Sequence, residues 1–239
     1  HQHGFYTKPF ELTLTTETPG ATIYYSLDGE IPGQKTARFL SGDVYAGPLQ
    51  IVSTTCVRAV AVKEGWKRSE VSTQTYLFLN DVIRQPSSPG PGWPTSGAGG
   101  GGGGGGGMWG FPGFGGGQYM DYGMDPEVVE DPRYAELMDD ALLAVPSISI
   151  VTNLANLFDS STGIYVNALQ DGRDWERPAS VELIDPDGSE DFTIGAGLRI
   201  RGGYGRMGSN PKHAFRLFFR SEYGPSQLQY ALFGDEGVD

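Results

Sequence analysis

An unbroken run of glycine from Gly99 to Gly107 divides this chain. Successive residues without side chains have nothing to pack and lose the most entropy on ordering, so no core forms through them. The run sits inside a longer stretch, residues 81–126, in which Pro, Ser and Gly dominate (QPSSPGPGWPTSGAGG, then MWGFPGFGGGQYMDYGMD). Such a composition buries too little surface to offset chain entropy and reads as a linker. Trp93, Trp109, Phe111, Phe114, Tyr119 and Tyr122 are spaced through it. That arrangement suits docking on a neighbour or self-association, and a plain linker is the simpler reading. Residues 5–80 and 127–239 remain, each of a size that buries a core of its own.

The formal net charge is −12 and the sequence pI is near 4.6. Residues 81–150 carry nine acidic and two basic side chains, whereas residues 1–80 carry seven of each. A net acidic surface excludes nonspecific binding to nucleic acid or to an anionic membrane. No apolar run approaches the roughly 20 residues of a spanning helix, so no membrane span is expected. Cys56 is the only cysteine, which rules out an intrachain disulfide and zinc sites built from several thiolates.

Between Phe5 and Phe78 the runs FELTLTT, ATIYYSLDG, LQIVS, TCVRAVAV and STQTYLFL are rich in β-branched and aromatic residues. Pro19-Gly20, Asp28-Gly29 and Gly65 punctuate them, which predicts a small antiparallel β-sandwich. Tyr24, Tyr25 and Trp66 have flat faces that suit a sugar ring, but in a sandwich core or sheet packing is the first reading and sugar binding the alternative. Asp28-Gly29-Glu30 reads as a hairpin turn rather than a cation site. His1 and His3 read as a terminal overhang before a metal-binding amino end.

Past the linker, Asp131 is a plausible N-cap with Pro132 at the first helical position. Tyr134, Leu137, Met138, Ala141 and Leu142 then fall on one apolar face, predicting a helix that Pro146 ends. SISIVT reads as a buried strand, and RPASVELIDP and DFTIGAGLRIRGG as a pair joined by an acidic turn holding Asp185, Asp187, Gly188, Glu190 and Asp191. The spacing of those carboxylates departs from a calcium loop, and a solvated turn is the reading.

The richest stretch is Leu198–Arg220, LRIRGGYGRMGSNPKHAFRLFFR. Leu198, Ile200, Phe215, Leu217 and Phe219 alternate with Arg199, Arg201, Arg216 and Arg220, the period of two strands with one apolar and one charged face. Gly202, Gly203, Gly205 and Gly208 lie between them. Glycines let backbone N–H groups approach an anion, and Lys212 stands where the second strand begins. A flexible hairpin with solvated arginines is the alternative.

Two resemblances add to this. ATIYYSLDGEIPG with VRAVAVKEGWKRSEVSTQTY resembles the immunoglobulin-like module at the C-terminal end of chitobiases and β-hexosaminidases. VPSISIVTNLANLFDSSTGIYVN, DWERPASVELIDPDG, AGLRIRGGYGRMGSNPKHAFRLFFRSEYG and QYALFGD, in that order, resemble the N-terminal part of the spore-coat CotH protein-kinase-like family. The fold class implied is mixed: an N-terminal all-β immunoglobulin-like sandwich, a Gly-rich linker, then the incomplete α+β N-lobe of an atypical kinase-like domain.

The CotH resemblance implies ATP and Mg as cofactors of the full-length protein and a protein substrate. It implies that Lys212 meets the ATP phosphates, with Arg199, Arg201 and Arg206 adding positive charge. The sequence stops at Asp239 with no counterpart of the family's remaining half, so no catalytic residue or metal ligand is assigned and the chain as given is not expected to catalyse. Asp171, Asp174 and Glu176 match no kinase metal site. Phe215, Leu217, Phe218 and Phe219 are expected to want cover from the missing lobe. The expected setting is secreted or cell-surface. The rival function is a non-catalytic adhesion, carbohydrate-binding or structural assembly protein that engages a neighbouring surface protein or sugar.

Overall fold

The computed structural model describes residues 1–35, 40–90, 92–94, 120, 122–188, 191–208, 210 and 212–232. Trp109, Phe111, Phe114, Tyr119 and the glycine run lie outside the described residues, as does Glu190.

The N-terminal unit is all-β. Strands β1 (Gly4–Phe5), β2 (Phe10–Leu12), β3 (Thr22–Ser26), β4 (Asp43–Val44), β5 (Leu49–Ile51), β6 (Thr55–Val62) and β7 (Ser72–Leu77) form a five-stranded sheet of order β1-β7-β6-β3-β4 and a two-stranded β2-β5 sheet. The β1-β7 pair is parallel and the others are antiparallel. Alternation explains the layering. Leu12 and Ile51 from the small sheet meet Val57 and Tyr76 from the large one, with Phe78 closing the cluster and Tyr6 and Phe10 packed beside it. Each fully buried aliphatic side chain contributes about 1.5–3 kcal/mol. This is the small β-sandwich that the strand pattern predicts, antiparallel apart from the β1-β7 pair.

A short helix α1 (Leu79–Ile83) leaves the sandwich, and helices α2 (Pro126–Val129) and α3 (Met138–Leu143) precede the second sheet. Here the expectation of one helix started by Asp131 needs correction. Asp125-Pro126 repeats the Asp131-Pro132 signal six residues earlier, and it is Asp125 that caps a helix, accepting from Glu127 N–H at 2.9 Å. The Asp131 carboxylate instead takes the Arg133 N–H at 2.8 Å and its guanidinium at 2.6 Å. A turn follows, then a single 3-10 turn over Ala135–Leu137 before α3. Of the anticipated apolar face Met138 is buried, whereas Tyr134 and Leu137 are exposed.

The second sheet is a four-stranded antiparallel meander of order β11-β10-β9-β8, built from β8 (Ser147–Val151), β9 (Arg177–Ile184), β10 (Phe192–Arg201) and β11 (Ala214–Phe218). Helix α4 (Leu154–Phe158) lies between β8 and β9. Ile148 of β8 is exposed and Val151 buried, so SISIVT is half-covered rather than buried. Leu198 and Ile200 pack with Ile164, Ala168 and Ala179 on one side, joined by Phe215 and Leu217. No described helix is long and apolar enough to cross a membrane.

The two units touch through polar groups. Glu182 of β9, fully buried, accepts the Thr75 N–H of β7 at 3.1 Å and the Thr75 hydroxyl, while Thr75 Oγ1 also lies 2.7 Å from Ser149 Oγ of β8. Glu30 of the sandwich accepts the Leu154 N–H at the start of α4, at 3.2 Å.

Candidate functional site

The β10–β11 hairpin forms as its alternation predicts. Ile200 pairs with Phe215, Arg199 with Arg216, and Arg201 with Ala214, so the arginines share the face opposite the buried Leu198 and Ile200. Their contacts, rather than the register, sort the four cations anticipated at a phosphate into two pairs.

Arg199 and Arg206 hold the frame. Arg199 donates from Nε to Glu176 Oε2 at 2.8 Å, its Nη2 lies 2.7 Å from the same oxygen in an ion pair, and its guanidinium lies 4.1 Å from the centroid of Phe218. Glu176 also receives Arg220 Nε at 2.9 Å and Arg173 Nη1. Burial pushes the Glu176 carboxyl up, but the bonds from Arg220 and Arg199 outweigh it and hold the group below its ordinary value. Arg206 folds back, giving Nη2 to Ile200 O at 2.9 Å and Nη1 to Gln170 O at 3.3 Å, with Asp171 at 3.8 Å. The cluster Asp171, Asp174 and Glu176 is thereby split: only Glu176 is buried, and its charge is answered by arginines.

Arg201 and Lys212 flank the loop itself and are exposed. Lys212 N–H donates to Asn210 Oδ1 at 3.2 Å. Gly202 has φ +104°, a conformation open to glycine, and a Cβ at Gly202 or Gly203 would meet nothing within 4 Å, so the backbone there lies open. The loop is pinned by His213, to which no sequence motif assigns a role. Its buried ring gives Nδ1–H to Gly205 O at 2.7 Å, sits 4.7 Å from the Tyr165 ring, and its backbone N–H donates to Tyr165 Oη at 3.3 Å. Burial lowers the pKa of His213, with the Gly205 bond opposing, which favours the neutral ring with its proton on Nδ1. A histidine directly after the lysine, at the strand's entry, was the available signal.

The apolar residues expected to want cover have it in part. Phe215 and Leu217 pack on the core, Phe219 joins a second cluster with Val181, Ile194 and Ala196, and Phe218 is overlaid by Arg199, Arg216 and Arg220.

In the sandwich, Tyr24 and Tyr25 are successive residues of β3 and face opposite sides. Tyr25 meets Tyr45 edge-on at 6.5 Å, and Trp66 is exposed with Lys63 Nζ 4.9 Å over its ring. The three do not make one stacking surface. Gly29 takes φ +83° in the turn, where Glu30 N–H donates to Asp28 Oδ1 at 3.0 Å. His1 stacks on Phe10 at 4.1 Å while His3 turns to Glu182, so the two histidines diverge. In the acidic turn Asp191 Oδ1 accepts the Asp185 N–H at 2.6 Å. No group of three or more His, Cys, Asp or Glu among the described residues is placed to hold a metal ion.

Residues 1–73 match the family model of the chitobiase/β-hexosaminidase C-terminal domain. The N-terminal part of the chain is therefore similar to that family in sequence and is all-β like an immunoglobulin-like domain. No curated protein and no solved structure matches the chain.

Proposed function

We propose that residues 127–239 form the nucleotide-facing part of a CotH-like atypical kinase, carried beside a chitobiase-type sandwich on a secreted or cell-surface protein. The whole polypeptide transfers phosphate from ATP to a protein. The observation that carries this reading is the division of labour in the β10–β11 hairpin. Arg199 and Arg206 brace its frame through Glu176 and Ile200 O, while Arg201 and Lys212 flank an open glycine backbone.

That loop suits the phosphate part of a nucleotide. An open glycine backbone and two exposed cations, Arg201 and Lys212, suit its negative oxygens. Magnesium is a different matter. Its ligands are oxygens, usually carboxylates, and no described carboxylate is assigned to it here. The base and the metal ligands therefore have no assignment within these residues.

The test is nucleotide binding by the polypeptide as its source makes it. Lys212→Ala is expected to weaken MgATP binding at least tenfold in a fluorescence titration, with Lys212→Arg retaining most of it and Arg216→Ala serving as a charge control. Unchanged affinity in Lys212→Ala would remove the assigned role. The absence of any nucleotide binding would favour the alternative, a non-catalytic adhesion or assembly protein.

A further inference from the structure

The face of the five-stranded sheet that meets the second unit is polar, and one part of it is not answered by protein. Arg58 of β6 stands directly opposite Thr73 of β7 and, on its other side, opposite Ser26 of β3. Arg58 is 5% exposed and Thr73 1% exposed. Both line a cleft of about 340 Å³ whose far wall comes from the second unit, including Ser180, Thr193 and Tyr223.

The hydrogen bonding there is incomplete. Arg58 donates Nη1 to Gly29 O at 2.8 Å, but among the described residues its Nε–H has no acceptor and the Thr73 hydroxyl has no partner. Among the described residues Arg58 makes no ion pair; Glu30 acts on it only at a distance and is itself bonded to the Leu154 N–H. A guanidinium stays protonated in a protein, so Arg58 carries its charge into the interior. A buried charge without a counter-ion, beside a buried hydroxyl without a partner, opposes folding, and apolar residues of the same size would relieve both.

We propose that this cleft between the two units binds a small carboxylate, with Arg58 Nε–H and Thr73 Oγ1–H donating to its oxygens. Arginine favours carboxylates and phosphates because its N–H groups match their spaced oxygens. Glu70 and Glu222 also line the cleft, which disfavours a phosphate dianion and leaves a singly charged carboxylate as the better fit. The volume is at the lower end of small-molecule sites, so the ligand is small. Because its walls belong to both units, the ligand fastens one to the other.

The experiment uses the full chain, with acetate, lactate and inorganic phosphate titrated at matched ionic strength against chloride, read by calorimetry and by the unfolding temperature. The wild type is expected to bind a carboxylate and to unfold at higher temperature as its concentration rises. Arg58→Met is expected to lose at least tenfold in affinity while its ligand-free unfolding temperature stays equal or rises, because the unpaired charge is gone. Thr73→Val, close to isosteric, is expected to weaken binding several-fold and serves where Arg58→Met does not fold. Binding of none of the three anions would overturn the proposal and leave water as the partner of both groups. Tighter binding of phosphate than of the carboxylates, or wild-type affinity in both variants, would overturn it equally.

Discussion

His3 Nδ1 lies 2.8 Å from Glu182 Oε1, and 179 positions of sequence separate the two residues. The other ring nitrogen, Nε2, lies 3.2 Å from Asp191 Oδ2, and the backbone N–H of His3 donates to Gln74 Oε1 at 2.7 Å. With Thr75 donating twice to the same carboxylate, Glu182 collects its donors from the sandwich although it belongs to the second sheet. A fully buried carboxylate is tolerable only with its lone pairs answered, so this contact fixes how β7 and β9 meet.

Losing one donor while Glu182 keeps two others costs about 1.5–3 kcal/mol, the worth of a hydrogen bond to a charged group. His3→Ala is therefore expected to lower unfolding stability by roughly that amount in urea titrations, with Thr75 still donating twice to Glu182. His1→Ala, at an exposed position two residues away, should stay within about 0.5 kcal/mol of the wild type. Equal effects of the two changes would mean that the contact between the units contributes nothing to stability.

Glu176 makes stability depend on acid. Its folded pKa is depressed below the ordinary value of 4.5, so its contribution is complete above that pH and is lost as pH falls through the lower, folded value. Glu176→Gln is expected to be less stable than the wild type at neutral pH, with the gap narrowing as pH drops below 4.5. Unfolding midpoints measured from pH 7 to pH 3 check this, and a gap independent of pH would refute it.

Gly195 of β10 leaves room for the chain that returns after β11. A Cβ there would stand 2.0 Å from Tyr223 O, a backbone atom that cannot step aside. Gly195→Ala is expected to cost about 1–3 kcal/mol by overpacking. Gly203→Ala, where a Cβ meets nothing within 4 Å, is the comparison and should be nearly neutral. Chemical denaturation of the two variants separates them. Similar stabilities would mean that the 220–224 segment does not pack on β10.

Strands were the legible part of the fold, because a strand with one apolar face writes its period into the sequence. TIYYS, TCVRAVAV and the alternations over residues 198–201 and 215–217 all form strands, and Arg199 and Arg201 emerge on the face opposite Leu198 and Ile200. The helix near Asp131 was misread because two Asp-Pro signals stand six residues apart, and helical periodicity does not say which of them caps. At the site, the charges of Arg199 and Arg206 were visible but their partners were not. Glu176 is 23 positions from Arg199, and its acidic neighbours Asp171 and Asp174 gave no sign that it alone is buried.

The sequence by itself determined the all-β N-terminal unit and the β10–β11 hairpin, since these follow from local alternation and turn glycines acting within a few residues. Residues 1–73 are also similar in sequence to the chitobiase/β-hexosaminidase C-terminal domain. What only the tertiary structure decided is the fate of the polar faces. Arg58, Thr73, Thr75 and Glu182 sit at positions that alternation assigns to solvent, yet all four are buried where the two units meet. Hydrophobic periodicity records which side of a strand avoids water when apolar contacts cover it. It carries no mark of a side covered by hydrogen bonds from a strand 107 positions away.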